Sequence, residues 1–393
     1  MTTAANPSTL PVLSPEEHAH CGRVAALVRE RIVAAGGSIG FDEYLQLVLY
    51  APGLGYYSAG SVKFGAAGDF VTAPELSPLF GRCVAQQCAQ VLAETGGSIL
   101  EFGAGTGRMA ADVLQRLGSL GVLPERYRIL EVSADLAARQ RACLAALPAP
   151  LATRVEWLTS LPQGHRGVVL ANEVLDALPF QRFVWRDGAV YELVVGVDER
   201  GTFRAREQRA GGALRAEVER IRAELPEPWP EDYVSELSPA IGPWMASLSG
   251  LLESGVILLF DYGLPRTHYY HPERARGTLR CHFRHRAHDD PFLHPGMQDV
   301  TAWVDFTRVA EAAVAGGLEL AGFTTQAGFL LGCGIETLLQ ESADIAEHVR
   351  LAGEAQRLLL PGEMGESFKA MALARGVDAP LAGFSLQDLS ASL

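Results

Sequence analysis

The chain has 393 residues, of which 48% are hydrophobic and 20% charged, and its 46 acidic and 33 basic residues give a formal net charge of -13. This is enough material for a large packed core built from more than one structural unit. The acidic balance disfavours nonspecific binding to nucleic acid or to an anionic membrane, and no apolar run approaches the roughly 18 residues that a membrane helix needs. The first fourteen residues contain neither basic residues nor an apolar segment, so we expect a cytoplasmic protein without a targeting signal.

The N-terminal quarter of the chain predicts helices. Residues 1–13 are rich in Thr, Ala, Asn and Pro, which indicates a disordered tail. Residues 14–97 carry three helix patterns, and we expect them to form a helical region that covers part of a site. The first helix begins with a capping box, Ser14 with Glu17, and the third begins at the N-cap Ser77.

Residues 98–393 alternate strand and helix patterns, which is typical of an α/β fold with an open, mostly parallel sheet and helices on both faces. Two insertions interrupt this alternation, at about 200–252 and at 264–303. The first insertion is predicted to be helical and broken by three prolines. After the strand that begins at Ser98, the further predicted core strands are Tyr127–Glu131, Val155–Leu158, Gly167–Glu173, Gly255–Asp261, Leu318–Thr325 and Phe368–Arg375.

The first of these strands leads directly into a glycine-rich loop, Ser98 to Gly107. Gly103, Gly105 and Gly107 remove every Cβ atom where a ligand or the next helix must approach the backbone. The helix that follows, predicted from about Thr106 to Leu117, points its N-terminal amides at this loop. The whole unit therefore predicts a cofactor-binding βα turn.

Acidic or amide side chains end four of the predicted strands: Glu101, Glu131, Asn172 with Glu173, and Asp261 with Tyr262. In a parallel sheet the carboxyl ends of the strands line one crevice, in which ligands bind. An acid at the end of the second strand can accept hydrogen bonds from both hydroxyls of a ribose. The pattern therefore predicts a cofactor that contains a nucleoside.

Two cofactors are compatible with the glycines alone. Gly105, Gly107 and Ala110 match the alanine variant of the dinucleotide fingerprint, which would indicate NAD(P). However, Glu101 stands two residues before the first glycine, where a carboxylate repels a pyrophosphate and attracts the cationic amino and sulfonium end of S-adenosylmethionine. This acid favours the methyl donor.

The chain offers little for a metal site. The six cysteines lack a CxxC pair, and we expect them to be reduced. Cys281 and four nearby histidines do not repeat a two-pair ligand spacing, and the arginines between them repel a cation. We therefore predict no metal, and a folded hairpin near the substrate entrance instead.

Several motifs together resemble one family, the MidA-type S-adenosylmethionine-dependent methyltransferases, which include a mitochondrial complex I assembly factor. The resemblance covers nearly the whole ordered chain. One departure is Trp303, where the bacterial members usually have a histidine. The matching positions are Gly40 and Phe41; Tyr50, Pro52, Gly55 and Tyr57; Gly68, Asp69, Thr72, Pro74, Glu75 and Ser77; the loop from Glu101 to Gly107; Asn172 to Pro179; Asp261 to Gly263; Gly277, Thr278, Cys281 and His282; and Pro295 to Asp299.

The resemblance implies a seven-stranded, Rossmann-like class I methyltransferase core with an N-terminal helical region and inserted segments. It also implies S-adenosyl-L-methionine as cofactor and a protein arginine side chain as a candidate acceptor, for example on a respiratory-complex subunit. Thr72 and Pro74 would then cover the cofactor together with Glu75. The predicted cofactor-binding residues are Thr72, Pro74, Glu101, Gly103, Gly105, Gly107, Glu131 and Asn172.

An arginine acceptor needs carboxylates, because a guanidinium is cationic at any physiological pH and must be oriented towards the methyl group. We predict Glu75, Glu173 and Asp176 as catalytic residues. An equally good role for Asp176 is to cap the turn that follows it. Asp69, Asp261 and Tyr262 are the predicted substrate-binding residues.

Two other functions stay open from the residues. One is an assembly factor or scaffold that binds the cofactor and catalyses little, which the large insertions would permit. The other is an NAD(P)-dependent oxidoreductase that uses the Gly105 to Ala110 fingerprint.

Overall fold

The computed structural model describes residues 10–59 and 71–393. Most of the predicted N-terminal tail and the predicted substrate-binding residue Asp69 lie outside these ranges. Among the described helices, none is both long and apolar enough to span a membrane.

Fourteen α-helices lie in the described ranges. They are α1 (Pro15–Ala34), α2 (Phe41–Tyr50), α3 (Ala73–Leu76), α4 (Pro78–Thr95), α5 (Arg108–Leu120), α6 (Ala134–Ala145), α7 (Ala149–Ala152), α8 (Gly212–Glu224), α9 (Ile241–Leu251), α10 (Arg266–Tyr269), α11 (Phe306–Ala315), α12 (Gln326–Gly332), α13 (Ile335–Gln340) and α14 (Ile345–Leu359).

The same ranges contain sixteen strands. They are β1 (Ser38–Ile39), β2 (Ser98–Phe102), β3 (Tyr127–Leu130), β4 (Val155–Leu158), β5 (His165–Asn172), β6 (Gln181–Arg186), β7 (Ala189–Val197), β8 (Phe203–Arg209), β9 (Tyr233–Leu237), β10 (Leu252–Leu264), β11 (Arg280–Phe283), β12 (Arg286–His288), β13 (Asp299–Thr301), β14 (Val304–Asp305), β15 (Glu319–Thr325) and β16 (Phe368–Arg375).

The central sheet has the strand order β15-β16-β10-β5-β2-β3-β4, with the short β14 added beside β10. The pairs from β10 through β4 are parallel, and β16 is antiparallel to both of its neighbours. The order reverses between β2 and β5, because β3 and β4 extend the sheet on one side of β2 and the later strands extend it on the other. A ligand crevice is expected at that reversal, and it lies next to the glycine loop after β2. The prediction of a seven-stranded class I methyltransferase core is confirmed.

Helices cover both faces of this sheet, because successive side chains of a buried parallel strand point to opposite sides. On β5, Val168 and Leu170 belong to one core cluster, with α4, α5 and α14. Val169 and Ala171, on the alternate positions, belong to a second cluster with α9 and α11. The sheet is thus the middle of three layers, and its carboxyl edge is free to bind a ligand.

Helices α1 and α2 pack against a second, antiparallel sheet rather than against the central one. The capping box of Ser14 and Glu17 forms as predicted. Buried residues of α1 and α2 share a core cluster with β7 and with the segment that carries β11 and β13. The Tyr50 hydroxyl donates to the Ala177 carbonyl at 2.7 Å, which joins the end of α2 to the turn after β5.

The insertion at about 200–252 differs from its prediction as a helical segment. It contains α8 and α9, but β9 lies between them and pairs antiparallel with β6. The hairpin of β6 and β7 is therefore part of a five-stranded sheet, in which β9 pairs with β6 and both β1 and β8 pair with β7. The reason is local: the prolines that follow α8 cannot continue a helix, and Tyr233 to Leu237 then buries most of its side chains as a strand.

Candidate active site

The glycine loop after β2 has the conformation that only glycine adopts cheaply. The φ angles of Gly103, Gly105 and Gly107 are 60°, 54° and 87°, all in the left-handed region. Helix α5 begins at Arg108, two residues later than predicted, because Gly107 is its left-handed N-cap. A Cβ atom on Gly107 would lie 3.2 Å from the Cα atom of Gln140, so the loop packs directly against α6.

Two adjoining cavities lie at the carboxyl edge of the sheet and share Tyr57, Gly103, Gly105 and Glu173. We call the first, of about 580 Å³, the polar lobe; it is lined by Tyr57, Thr72, Pro74, Glu75, Glu101, Gly103, Ala104, Gly105, Thr106, Arg108, Met109, Asn172, Glu173, Asp176, Tyr262 and Asp299. We call the second, of about 1010 Å³, the apolar lobe; it is lined by Gln46, Tyr50, Tyr57, Phe102, Gly103, Gly105, Leu130, Glu131, Val132, Leu136, Glu173, Val174, Ala177, Leu178 and Pro179.

The apolar lobe has two carboxylates, Glu131 and the shared Glu173, in an otherwise largely hydrophobic wall. Glu131 accepts a hydrogen bond from the Ser133 amide at 2.8 Å and another from the Gln140 side chain at 2.9 Å, one on each oxygen. Beside it, the Val132 side chain is 74% exposed. A fixed acid beside an apolar slot suits a ribose and its attached base.

Gln140 fixes this acid to the glycine loop, and sequence reasoning missed it. Its side chain is fully buried. The amide nitrogen donates to Glu131 and, at 3.0 Å, to the Gly105 carbonyl, while the amide oxygen accepts from the Trp157 indole at 2.9 Å. A glutamine within a helix carries no signal in the sequence that could reveal these three partners.

We expect the variant Gln140→Leu to weaken S-adenosylmethionine binding about tenfold, because Glu131 loses a partly buried hydrogen bond to its carboxylate, worth about 1.5 kcal/mol, and its fixed orientation. Calorimetric titration measures the dissociation constant. Gln326→Leu is the matched control, since Gln326 is also fully buried and donates to the Leu358 carbonyl elsewhere. Equal weakening in both variants would show that the effect is general destabilisation.

The polar lobe contains the acid that precedes the glycines. Glu101 is 1% exposed and accepts a hydrogen bond from the Tyr127 hydroxyl at 2.7 Å. Burial raises the pKa of Glu101 to about 7, against the opposing effect of this hydrogen bond, and the charge of Glu131 raises it further. A cation in the lobe would favour the ionised carboxylate and reverse the shift.

Three more carboxylates face one another across the same lobe: Glu173, Asp176 and Asp299. The Tyr262 hydroxyl donates to Glu173 at 3.1 Å, and the Tyr57 hydroxyl donates to Asp299 at 2.7 Å. Burial raises the pKa of Glu173 to about 7, and Asp299 contributes to this rise.

Asp176 is buried close to several other carboxylates. It is 3% exposed, and burial together with the charges of Asp261, Asp299 and Glu173 raises its pKa well above the usual range. Its side chain lines the polar lobe. Like-charged groups this close are costly unless a cation joins them, so the lobe fits a positively charged ligand.

The turn that carries Glu173 and Asp176 is held by Asp261. One oxygen of Asp261 accepts from the amides of Leu175 and Asp176, at 2.9 and 3.2 Å, and the other accepts from the Tyr262 amide at 3.0 Å. Asp261 lines neither lobe in the described residues. Its carboxylate therefore positions the turn, and the substrate-binding role predicted for it stays a prediction.

Short helix α3 brings the N-terminal region onto the glycine loop. Thr72, Pro74 and Glu75 all line the polar lobe, and Glu75 accepts a hydrogen bond from the Thr106 hydroxyl. Arg108 is the cationic side chain among the described lining residues, and it forms an ion pair with Asp112 at 3.1 Å. The charge of the lobe is therefore dominated by carboxylates.

The structure brings together ten of the predicted site residues at the polar lobe, with Gly107 just behind it and Glu131 in the adjoining apolar lobe. Tyr57 and Asp299 also line the polar lobe, although no site role was predicted for either. Both belong to motifs quoted above, so the family pattern contained their signal.

The two lobes give a slot for a nucleoside at one end and a cage of carboxylates at the other. This combination fits S-adenosyl-L-methionine, a nucleoside joined to a cationic amino acid. The fold and the site thus define a class I S-adenosyl-L-methionine-dependent methyltransferase.

Comparison with known proteins identifies the family. A model of S-adenosyl-L-methionine-dependent methyltransferases matches residues 83–324, and the chain belongs to that family, the MidA-type methyltransferases. The mitochondrial protein arginine methyltransferase NDUFAF7 of Mus musculus is 30% identical over 398 residues, covering 92% of this chain and 87% of the mouse protein. The homolog from Drosophila melanogaster is 29% identical, covering 96% and 92%.

Two crystal structures of COG1565 superfamily proteins from Burkholderia thailandensis share the whole fold. One, bound to S-adenosyl-homocysteine, is 43% identical with a TM-score of 0.93 and covers 98% of this chain and 100% of its own. The other is 42% identical with a TM-score of 0.91 and the same coverage. The methyltransferase prediction is confirmed, and S-adenosyl-L-methionine is the cofactor.

Proposed function

We propose that the chain methylates an arginine side chain of a protein. The observation that carries the proposal is the group of carboxylates, Glu173, Asp176 and Asp299, in the lobe that continues from the cofactor slot. A guanidinium offers five N–H donors in a planar fork and keeps its charge at any physiological pH. A set of convergent carboxylates, in which the pKa values of Glu173 and Asp176 are raised by burial, is the complement of that group.

The proposal assigns a role to each side chain. The cofactor supplies an electrophilic methyl group when it is bound. Glu173 and Asp176 accept N–H bonds from the guanidinium and orient one nitrogen, which is the main requirement of a displacement reaction. Glu173, with its pKa of about 7, is also suited to take the proton that the nitrogen loses when it gains a methyl group.

The other roles predicted for residues of the site are also proposals. Thr72, Pro74 and Glu75 cover the cofactor end of the polar lobe, and Glu131 holds the ribose. Tyr262 orients Glu173 through its hydroxyl. The N-terminal region over 14–97 acts as the cover of a core over 98–393.

The names of the relatives support an arginine acceptor, since the mouse and fly proteins are both called protein arginine methyltransferases. The subunit of a respiratory complex is the acceptor that the family resemblance implies. The mouse and fly relatives are mitochondrial, and a cytoplasmic location for this chain stays a prediction.

We expect a lysate depleted of methyl groups, incubated with the protein and radiolabelled S-adenosylmethionine, to acquire label on arginine. Acid hydrolysis and amino-acid analysis identify the labelled residue, and a Glu173→Gln variant provides the matched background. Label on lysine or a small molecule would contradict the arginine assignment. Tight cofactor binding with no label in any fraction would favour a scaffold instead.

A further inference from the structure

A third cavity, separate from the two lobes, opens beside β6 and β11. It has a volume of about 1400 Å³ and is walled mainly by the insertion at 264–303, together with β6. We call it the basic cleft; it is lined by Arg182, Arg274, Arg276, Gly277, Thr278, Leu279, Arg280, Asp289 and Trp303.

The basic cleft concentrates positive charge in a chain whose formal net charge is -13. Four guanidinium groups line it, and two carboxylates offset them. Arg280 forms an ion pair with Asp289, and Arg182 lies 3.5 Å from the buried Glu236. The cleft therefore keeps an excess of about two positive charges.

The charges of the other two arginines, Arg274 and Arg276, are not offset by an ion pair within the described residues. The Arg274 guanidinium lies over the Trp303 ring at 5.0 Å and donates to the His268 carbonyl at 3.0 Å. Arg276 is exposed and, within the described residues, forms no ion pair.

A chain of contacts joins the basic cleft to the acceptor carboxylates. Trp303 also lines a smaller cavity of about 340 Å³, whose wall includes Asp176 of the polar lobe. In addition, β11 carries Arg280 into the cleft and pairs with β13, which begins at Asp299 of the polar lobe. The cleft and the acceptor site are therefore two faces of one small structural unit.

We propose that the basic cleft binds acidic side chains of the polypeptide that carries the methyl-accepting arginine. This inference rests on the proposed function and adds its substrate class, an arginine in an acidic sequence context. Guanidinium groups bind carboxylates in a bidentate fork, so the cleft attracts the flanking acids while the acidic polar lobe attracts the arginine.

The test uses Arg276→Glu, because Arg276 is exposed and its replacement leaves the buried contacts intact. Arg357→Glu is the matched control, an equal charge change at an exposed position of α14. The probe is a fluorescent peptide with one arginine flanked by glutamates, compared with a peptide in which glutamines replace the glutamates. Fluorescence anisotropy gives the dissociation constant of each peptide.

We expect Arg276→Glu to weaken binding of the glutamate peptide about tenfold. The dissociation constants of the glutamine peptide and of S-adenosylmethionine should stay unchanged. Raised salt should weaken binding of the glutamate peptide to the wild-type protein. An equal effect of Arg357→Glu, equal binding of both peptides, or stronger binding of a single-stranded RNA of matched charge would overturn the proposal. Because binding is measured directly, the result is independent of whether labelled arginine is found in the lysate experiment.

Discussion

Replacing Glu173 with glutamine should lower kcat for the methylated protein at least about 100-fold, while the dissociation constant of S-adenosylmethionine changes less than about threefold. Glutamine can still accept the bond from the Tyr262 hydroxyl, so the shape of the polar lobe is kept. What is lost is a negative charge that orients the acceptor and a base that can take a proton, a contribution typically of about 10²- to 10⁴-fold.

Single-turnover kinetics with saturating cofactor measures this loss without interference from product release. Glu199→Gln, on the exposed turn between β7 and β8, is the control for a glutamate replaced far from the polar lobe. A Glu173→Gln enzyme with full kcat would remove Glu173 from the chemical step and leave Asp176 as the carboxylate to examine.

The second large effect concerns the cofactor. We expect Glu101→Gln to raise the dissociation constant of both S-adenosylmethionine and S-adenosylhomocysteine about 30-fold, since a buried charge pair that loses one partner costs about 2 kcal/mol or more. Methylthioadenosine, which keeps the nucleoside and lacks the amino-acid end, should bind the wild-type and variant proteins equally. A loss of affinity for all three ligands would show that the glycine loop itself is disturbed.

The same residue predicts a pH dependence. Burial raises the pKa of Glu101 to about 7, so in the ligand-free protein the carboxyl is largely protonated below that pH. A cationic ligand prefers the ionised form, and its affinity should therefore rise as the pH increases through 7, with proton release on binding. Titration calorimetry in buffers of different ionisation enthalpy counts these protons, and Glu101→Gln should release fewer.

The ligand-free protein should show the opposite trend in stability. A carboxyl whose pKa is raised in the folded state stabilises the folded protein when the pH is below its unfolded-state pKa. This contribution is lost as the pH rises through the folded-state pKa. Glu101 and Glu173 both have this shift to about 7. Cofactor binding thus offsets a destabilisation that the site itself creates.

Local patterns predicted much of the fold. The capping box at Ser14 and Glu17 formed as expected, and the last strand has the predicted bounds, Phe368–Arg375. Such features depend on residues a few positions apart, so their signal is contained in a short window. Strand β9 was not predicted, because the three prolines and the two flanking helix patterns dominate the sequence of the insertion at about 200–252.

The site was predicted in part, and the limit was again distance along the chain. The glycine loop and its neighbouring acids follow from the rule that strand ends meet at one edge. The bond between Tyr57 and Asp299 joins residues 242 positions apart, and a single sequence gives no physical reason to pair them. Asp261 shows a second limit: its carboxylate accepts hydrogen bonds from three backbone amides, and the position of an acid at a strand end does not reveal such bonds.

Glu173 adopts a left-handed backbone conformation, with φ of 54°. Glutamate gains nothing from this conformation, which costs of order 1 kcal/mol and is cheaper for Gly, Asn or Asp. None of those three residues places a carboxylate at the reach of a glutamate side chain. A replacement of Glu173 that stabilises the backbone would therefore remove the carboxylate that we propose performs the chemistry. A search for thermostable variants would favour such replacements at the expense of activity.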